Sequence, residues 1–358
     1  MRFQAGLPLA ALILMMPVLS GVSAASAGPA ADPLFESDQV LAIRIAGPLR
    51  GLARDRSRAP DDRPATLSYA GPDGALHTFP VGLRPRGHSR RDREVCVVPP
   101  LRVNAQKKAV AGTLFDGQDK LKLVTHCRRQ ARHDRYVYKE YLAYRILNEI
   151  TDASFRVRGL DIEWVDEDRG GSAERRFGFF IEHKDRLARR LGLEVAEPES
   201  IDSDRLEAEH ASLMELFQFM IGNTDFSFIA GPEDDDCCHN ATLLVDPQGR
   251  YLPMPYDFDI TGFVDPPYAV VDQQLPIKKV RQRLYRGFCR DGDAHAQAVE
   301  RFRRARPAID AVVRTETALD ARSRAAAQAF VDGFYAVLDD PEDLERHVLG
   351  ACRGRVRG

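Results

Sequence analysis

The chain alternates apolar and polar residues over 38–45 (DQVLAIRI) and 76–84 (LHTFPVGLR), the two-residue period of a half-buried strand. Segments 98–104 (VPPLRVN) and 119–125 (DKLKLVT) predict further strands. Residues 155–165 and 176–183 predict a strand pair joined by an exposed turn at Gly170-Gly171. The Arg-, Asp- and Pro-rich stretch 50–65 breaks the period and reads as loop, and Pro72-Asp73-Gly74 reads as a turn. Over 136–150 (YVYKEYLAYRILNEI) the period lengthens to that of a helix, which puts Tyr136, Ala143, Tyr144 and Leu147 around Glu140 on one face.

Beyond residue 184 the pattern is mainly helical. A short helix is predicted over 185–193, and an amphipathic one over 204–221 that stops at Gly222-Asn223. Residues 241–245 and 250–254 predict a hairpin around Pro247-Gln248-Gly249. The Ala-, Arg- and Glu-rich tail 295–348 predicts helix with a kink or break at Pro307. The expected organisation is an N-terminal extension with the first strands (28–75), a β-rich N-lobe with one helix (76–184) and a helical C-lobe (185–350), with a ligand cleft between the lobes.

Composition narrows the function classes. The 358 residues are 44% hydrophobic and 29% charged, which argues against wholesale disorder. Lys plus Arg total 51 against 53 Asp plus Glu, so the formal charge of −2 gives no reason to expect a nucleic-acid partner. Residues 1–27 have a positive start at Arg2, an apolar run from Leu7 to Val18 and small residues after it, the pattern of a cleaved secretory signal peptide. No later run is long and apolar enough to span a membrane, so the expectation is an exported, periplasmic or secreted protein. In an oxidising compartment the six cysteines predict disulfides ahead of zinc, despite the Cys237-Cys238-His239 run.

The candidate chemistry lies in a few short motifs. Glu140, centred on an apolar helix face, needs a cation; Lys120 and Lys122 share one face of the preceding strand and offer it. Asp225 sits in a turn after a helix. Asn240 precedes the strand ATLLV, and Asp257 and Asp259 follow the strand YLPM with the spacing that points both side chains one way. Three carboxylates and an amide are the hard oxygen donors that Mg²⁺ prefers, with one left over as a base. The Asp234-Asp235-Asp236 run and the basic stretch Arg128, Arg129, Arg132, Arg135 read as solvated faces. No G-x-S-x-G elbow suggests a hydrolase.

Taken in order, RGHSRR (86–91), KLKLV (120–124), YKEYLAYRILNEI (138–150), FGFFIEHKD (177–185), GNTDFS (222–227), HNATLL (239–244) and PYDFDITGFV (255–264) resemble the spore-coat protein H (CotH) kinase-like family, and more distantly HipA-type atypical kinases. The resemblance covers roughly 80–290. It implies an α+β, two-lobed, divergent protein-kinase-like fold that uses ATP with Mg²⁺ or Mn²⁺ to phosphorylate Ser or Thr of a protein substrate. By motif, Asp225 would accept the substrate proton and Asn240 and Asp257 would hold metal, with Asp259 beside them. Lys122 and Glu140 would form the phosphate-holding pair, with Lys120 or Arg102 as substitutes for Lys122. Arg86 to Arg90 would lie near the nucleotide, and Glu182 would end the hinge that meets adenine. His88 stands where the family has Asn, and fifteen residues separate Asp225 from Asn240, a gap that must loop out. Two alternatives stay open: an inactive envelope or coat-assembly scaffold, and an AMP transferase.

Overall fold

Strand alternation in the first half of the chain closes on itself. The computed structural model describes Met1 and residues 32–354 apart from 58, 88 and 233–235. The leader expected over 1–27 and the position of His88 therefore lie outside the described residues, as do Asp234 and Asp235. Strands β1 (Leu41–Gly47), β2 (Arg63–Ala70), β3 (Leu76–Pro85), β4 (Leu101–Ala105), β5 (Lys120–Thr125), β6 (Val157–Asp166) and β7 (Ser172–Ile181) form a closed barrel in the order β1-β2-β3-β4-β5-β7-β6. Neighbours are antiparallel except at the closure, where β1 runs parallel to β6 from Leu41↔Leu160 to Gly47↔Asp166. Alternation fills the interior with Ile45, Leu67, Phe79, Leu83, Leu123, Ile162 and Phe180. Lys122 and Val124 of β5 face outward.

This barrel corrects the fold expectation: a closed seven-stranded barrel is not the β-rich lobe of a two-lobed kinase-like fold. Two features hid it. β2 begins inside the polar stretch read as loop, and Arg63–Ala70 completes the wall between β1 and β3. The closing β1–β6 pair joins residues more than a hundred positions apart, which local periodicity does not report.

Helices α1 (Leu49–Arg54) and α2 (Lys107–Val110) lie in strand connections. The long α3 (Asp134–Ile150) packs on the outside of the barrel, where Tyr138 stacks on Phe177 of β7 at 3.9 Å and Tyr144 meets Phe179 at 5.7 Å. Those aromatic contacts begin a second core, which α4 (Lys184–Leu191), α5 (Ala208–Ile221), α6 (Ala294–Thr315) and α7 (Ala321–Asp339) continue, with α8 (Pro341–Leu344) near the C-terminus. The expected hairpin is present as β9 (Ala241–Val245) and β10 (Tyr251–Pro255). A short β8 (Glu194–Ala196) that the sequence did not signal widens it to three strands. α6 runs unbroken through Pro307.

All six cysteines pair, as Cys96–Cys127, Cys237–Cys238 and Cys289–Cys352. Among the described residues no helix is long and apolar enough to cross a membrane.

Candidate functional site

Six separate stretches bring their polar side chains together on the outer wall of the barrel. α5 ends at Gly222, whose left-handed backbone (φ 63°) lets its N–H and that of Asn223 return to the carbonyls of Phe219 and Gln218. Asn223 Oδ1 then accepts the N–H of Asp225 at 2.9 Å, and its amide donates to Gln218 Oε1 at 2.9 Å, so the turn carrying Asp225 is fixed from below. The chain leaves, and returns where Ser227 N–H donates to His239 O at 3.0 Å. That bridge is how the fifteen-residue gap loops out. It brings Asn240 Nδ2 to 2.9 Å from Asp225 Oδ2 and His239 Nε2 to 2.7 Å from Asp225 Oδ1.

Asp257 arrives on the far end of the hairpin. Tyr256 N–H donates to Asn240 O at 2.9 Å, which sets the two turns side by side, and Asp257 N–H donates to the Tyr144 hydroxyl of α3 at 2.9 Å. Asn240 and Asp257 both adopt positive φ (53° and 63°), a conformation that residues with side chains rarely take and that concentrates at functional sites. Lys139 of α3 ties down the stretch that follows by donating to Val264 O at 3.2 Å.

The cation facing Glu140 is Arg90, and this corrects the expected ion pair with Lys122. Arg90 Nη1 lies 3.2 Å from Glu140 Oε2, Nη2 lies 2.6 Å from Asp257 Oδ1, and Nε lies 3.3 Å from Asp259 Oδ2. Neither Lys120 nor Arg102 takes that place. Lys122 Nζ instead lies 4.1 Å over the Tyr256 ring. Burial, with the nearby Arg86 charge, pushes its ammonium down to about 7, against the pull of Asp257. Arg86 is lowered by burial too, and its Nε has no hydrogen-bond partner among the described residues.

Three carboxylates thus meet one guanidinium. Burial raises Glu140, and its Oε1 has no hydrogen-bond partner among the described residues. Burial also lifts Asp259 to about 8, and it accepts a hydrogen bond from the Tyr268 hydroxyl at 3.1 Å. Asp257 goes the other way: burial opposes its charge, but Arg90, Arg86 and Lys122 outweigh that and hold it low. Burial thus favours the neutral form of Asp259, while the surrounding cations favour the charged form of Asp257. The Asp257 side chain is 36% exposed and that of Asp259 only 8%, so Asp257 can meet a ligand and Asp259 cannot.

Of the residues expected from sequence, Asp225, Asn240, Asp257, Lys122, Arg86, Arg90 and Glu140 converge here. Glu182 adjoins Lys122 along the barrel wall, but its carboxylate is clamped by Arg190 at 2.8 Å and its N–H donates to Arg156 O. Sequence reasoning passed over His239, Tyr144 and Tyr268. His239 stood in plain view beside Asn240, and Tyr144 beside Glu140 on the helix face, but neither was given a role; Tyr268 gave no local signal.

Among the described residues no three His, Cys, Asp or Glu side chains form a metal-binding cluster. The donor types do fit a hydrated Mg²⁺ or Mn²⁺, which keeps waters and needs few protein ligands: Asn240 turns its nitrogen to Asp225, its oxygen accepts no hydrogen bond among the described residues, and Asp257, whose carboxyl is held low by the surrounding cations, is partly exposed. No family model matches this chain, and comparison with curated proteins gives no significant match.

Proposed function

We propose that this chain is an exported phosphotransferase that moves the γ-phosphoryl group of ATP to a Ser or Thr hydroxyl of a protein, with catalysis on the outer wall of the barrel. The motif resemblance to CotH-like kinases motivates the reading. The observation that carries it is the meeting of Asp225, Asn240 and Asp257 with Lys122 and Arg86, two cations with no carboxylate hydrogen-bonded to them among the described residues. Phosphoryl transfer needs little covalent help from protein; it needs positioning and charge neutralisation, and this set supplies both.

In this reading Asp225 accepts the hydroxyl proton, held in place by Asn240 and His239. The hydrogen bond to Asp225 raises the His239 pKa and offsets the loss from burial, so protonated His239 compensates the carboxylate as pH falls. Lys122 and Arg86 meet the phosphates. Asn240 and Asp257 would hold the divalent cation, which supplies charge neutralisation at the transferred group. A leader-like N-terminus and three cysteine pairs support export.

The test uses oxidised protein and two labels. Transfer of label from γ-³²P-ATP to protein supports the proposal, and loss of transfer in a folded Asp257→Asn variant locates it. Transfer of α-label instead would make the protein an AMP transferase; nucleotide binding with neither transfer would make it a scaffold. Binding gives a second readout. Phosphate favours the charged form of Lys122, so affinity should fall as pH rises above about 7, by at most about tenfold per unit. Lys122→Met should lack that slope.

A further inference from the structure

A cavity of about 590 Å³ opens at one mouth of the barrel, and none of the Arg90 group lines it. Its floor is apolar, with Leu52, Val97, Leu101 and Trp164. Four arginines stand around it: Arg50, Arg54, Arg93 and Arg129. None of their guanidiniums makes an ion pair with a carboxylate among the described residues. Of the two acids in the lining, Glu174 pairs with Arg176 at 3.4 Å and lies 3.8 Å from His126, and Asp166, which accepts the N–H groups of Arg50 and Asp168, offsets only one of the four arginines. The rim therefore carries an excess of positive charge over an apolar floor.

Trp164 completes the floor: the residue is 4% exposed and its indole nitrogen is itself wholly buried, so the ring rather than the N–H meets the cavity. Barrel mouths of this size hold single small ligands. We infer that the mouth of the barrel binds an amphipathic organic anion, an apolar chain ending in a carboxylate, with the chain on the Leu52–Trp164 floor and the carboxylate among the arginines. The Cys96–Cys127 disulfide ties the loop carrying Arg93 and Val97 to the end of β5, so the wall is braced before any ligand arrives.

Trp164 is the single tryptophan of the chain and reports on this cavity alone. Dodecanoate, titrated below its micelle concentration without nucleotide, should change the tryptophan emission saturably, with calorimetry on the same samples as an independent readout. Affinity should rise by about fourfold per added methylene until the chain fills the space. Dodecanol and acetate, which keep the chain or the charge alone, should each bind at least about tenfold more weakly. Arg54→Glu combined with Arg129→Glu should weaken dodecanoate by a similar factor, and Val97→Phe should block it by filling the cavity. No saturable binding by either readout overturns the inference. So does dodecanol binding as tightly as dodecanoate, or acetate or inorganic phosphate doing so. Because nucleotide is absent, failure here leaves the phosphotransferase reading untouched, and the reverse holds.

Discussion

Arg290 and Arg90 are both buried guanidiniums facing buried acid, and they are satisfied in different ways. Arg290 meets Glu215 of α5 through both terminal nitrogens, one bond being 2.8 Å, and the acid's two oxygens are both used. The pair is closed; it holds the 285–290 stretch against α5 and has nothing left to offer. Arg90 divides itself among Glu140, Asp257 and Asp259, while Arg86 and Lys122 stand close with no carboxylate hydrogen-bonded to either among the described residues. Charges of both signs are present in similar number, yet they are left incompletely paired. A structural ion pair satisfies itself, and a site keeps charges for something that comes and goes.

The largest test of that contrast removes each arginine. Truncating one partner of a buried pair typically costs about 3–5 kcal/mol. Arg290→Met strands one carboxylate and should fall in that range. Arg90→Met leaves Glu140, Asp257 and Asp259 without their shared guanidinium, two of the three side chains being almost wholly buried, and should cost at least about 4 kcal/mol or prevent folding at 37 °C. Urea unfolding followed by circular dichroism measures both. If Arg90→Met proves the milder change, the three carboxylates do not depend on Arg90 as described.

How much of this was legible in the sequence follows the same division. Glu140 announced its burial because a charged residue centred on an apolar helix face must pair, and it is 2% exposed. Its partner was not legible: Arg90 comes from a loop fifty positions upstream, and no period connects a loop to a helix face. Asp225, Asn240 and Asp257 were legible as turn residues next to strongly patterned elements. The barrel was not, because strand alternation specifies which side faces the core and is silent about which strands pair. Pro307 was over-read: the expected break does not occur, and α6 continues through it.

A second, smaller test reverses a sign. Lys122 has its pKa depressed by burial, so its charge costs stability in the folded state. That cost is absent above the unfolded value near 10.4, grows as pH falls, and is fully present below about 7. Lys122→Met keeps the stem against Tyr256 and removes the charge; it should stabilise the nucleotide-free protein by about 1 kcal/mol at pH 6.5 while weakening nucleotide binding. Glu215→Gln, in the closed pair, should destabilise by about 2–3 kcal/mol and leave nucleotide binding unchanged. Equal signs for the two variants would mean that Lys122 is an ordinary packed residue.

The smallest effect concerns the proton shared at the Arg90 centre. Asp259 is raised to about 8, chiefly by burial, with Asp257 and Glu140 adding to the shift and Arg90 and Tyr268 opposing it. The folded protein therefore keeps a proton that the unfolded chain loses near the ordinary Asp value. A raised carboxyl contributes stability that is fully present below about pH 4 and is lost as pH rises through 8, at no more than about 1.4 kcal/mol per pH unit. The slope should be shallower in practice, because Glu140 is raised as well and competes for the same proton. Asp259→Asn mimics the protonated form, so it should fold with near-normal stability at pH 5 and exceed the wild type by about 1 kcal/mol at pH 7.5. Unfolding curves for both proteins at those two pH values decide the matter. Parallel stability at both would place the proton elsewhere and leave Asp259 ionised beside Arg90, in which case the centre would be a network of closed ion pairs like that of Arg290.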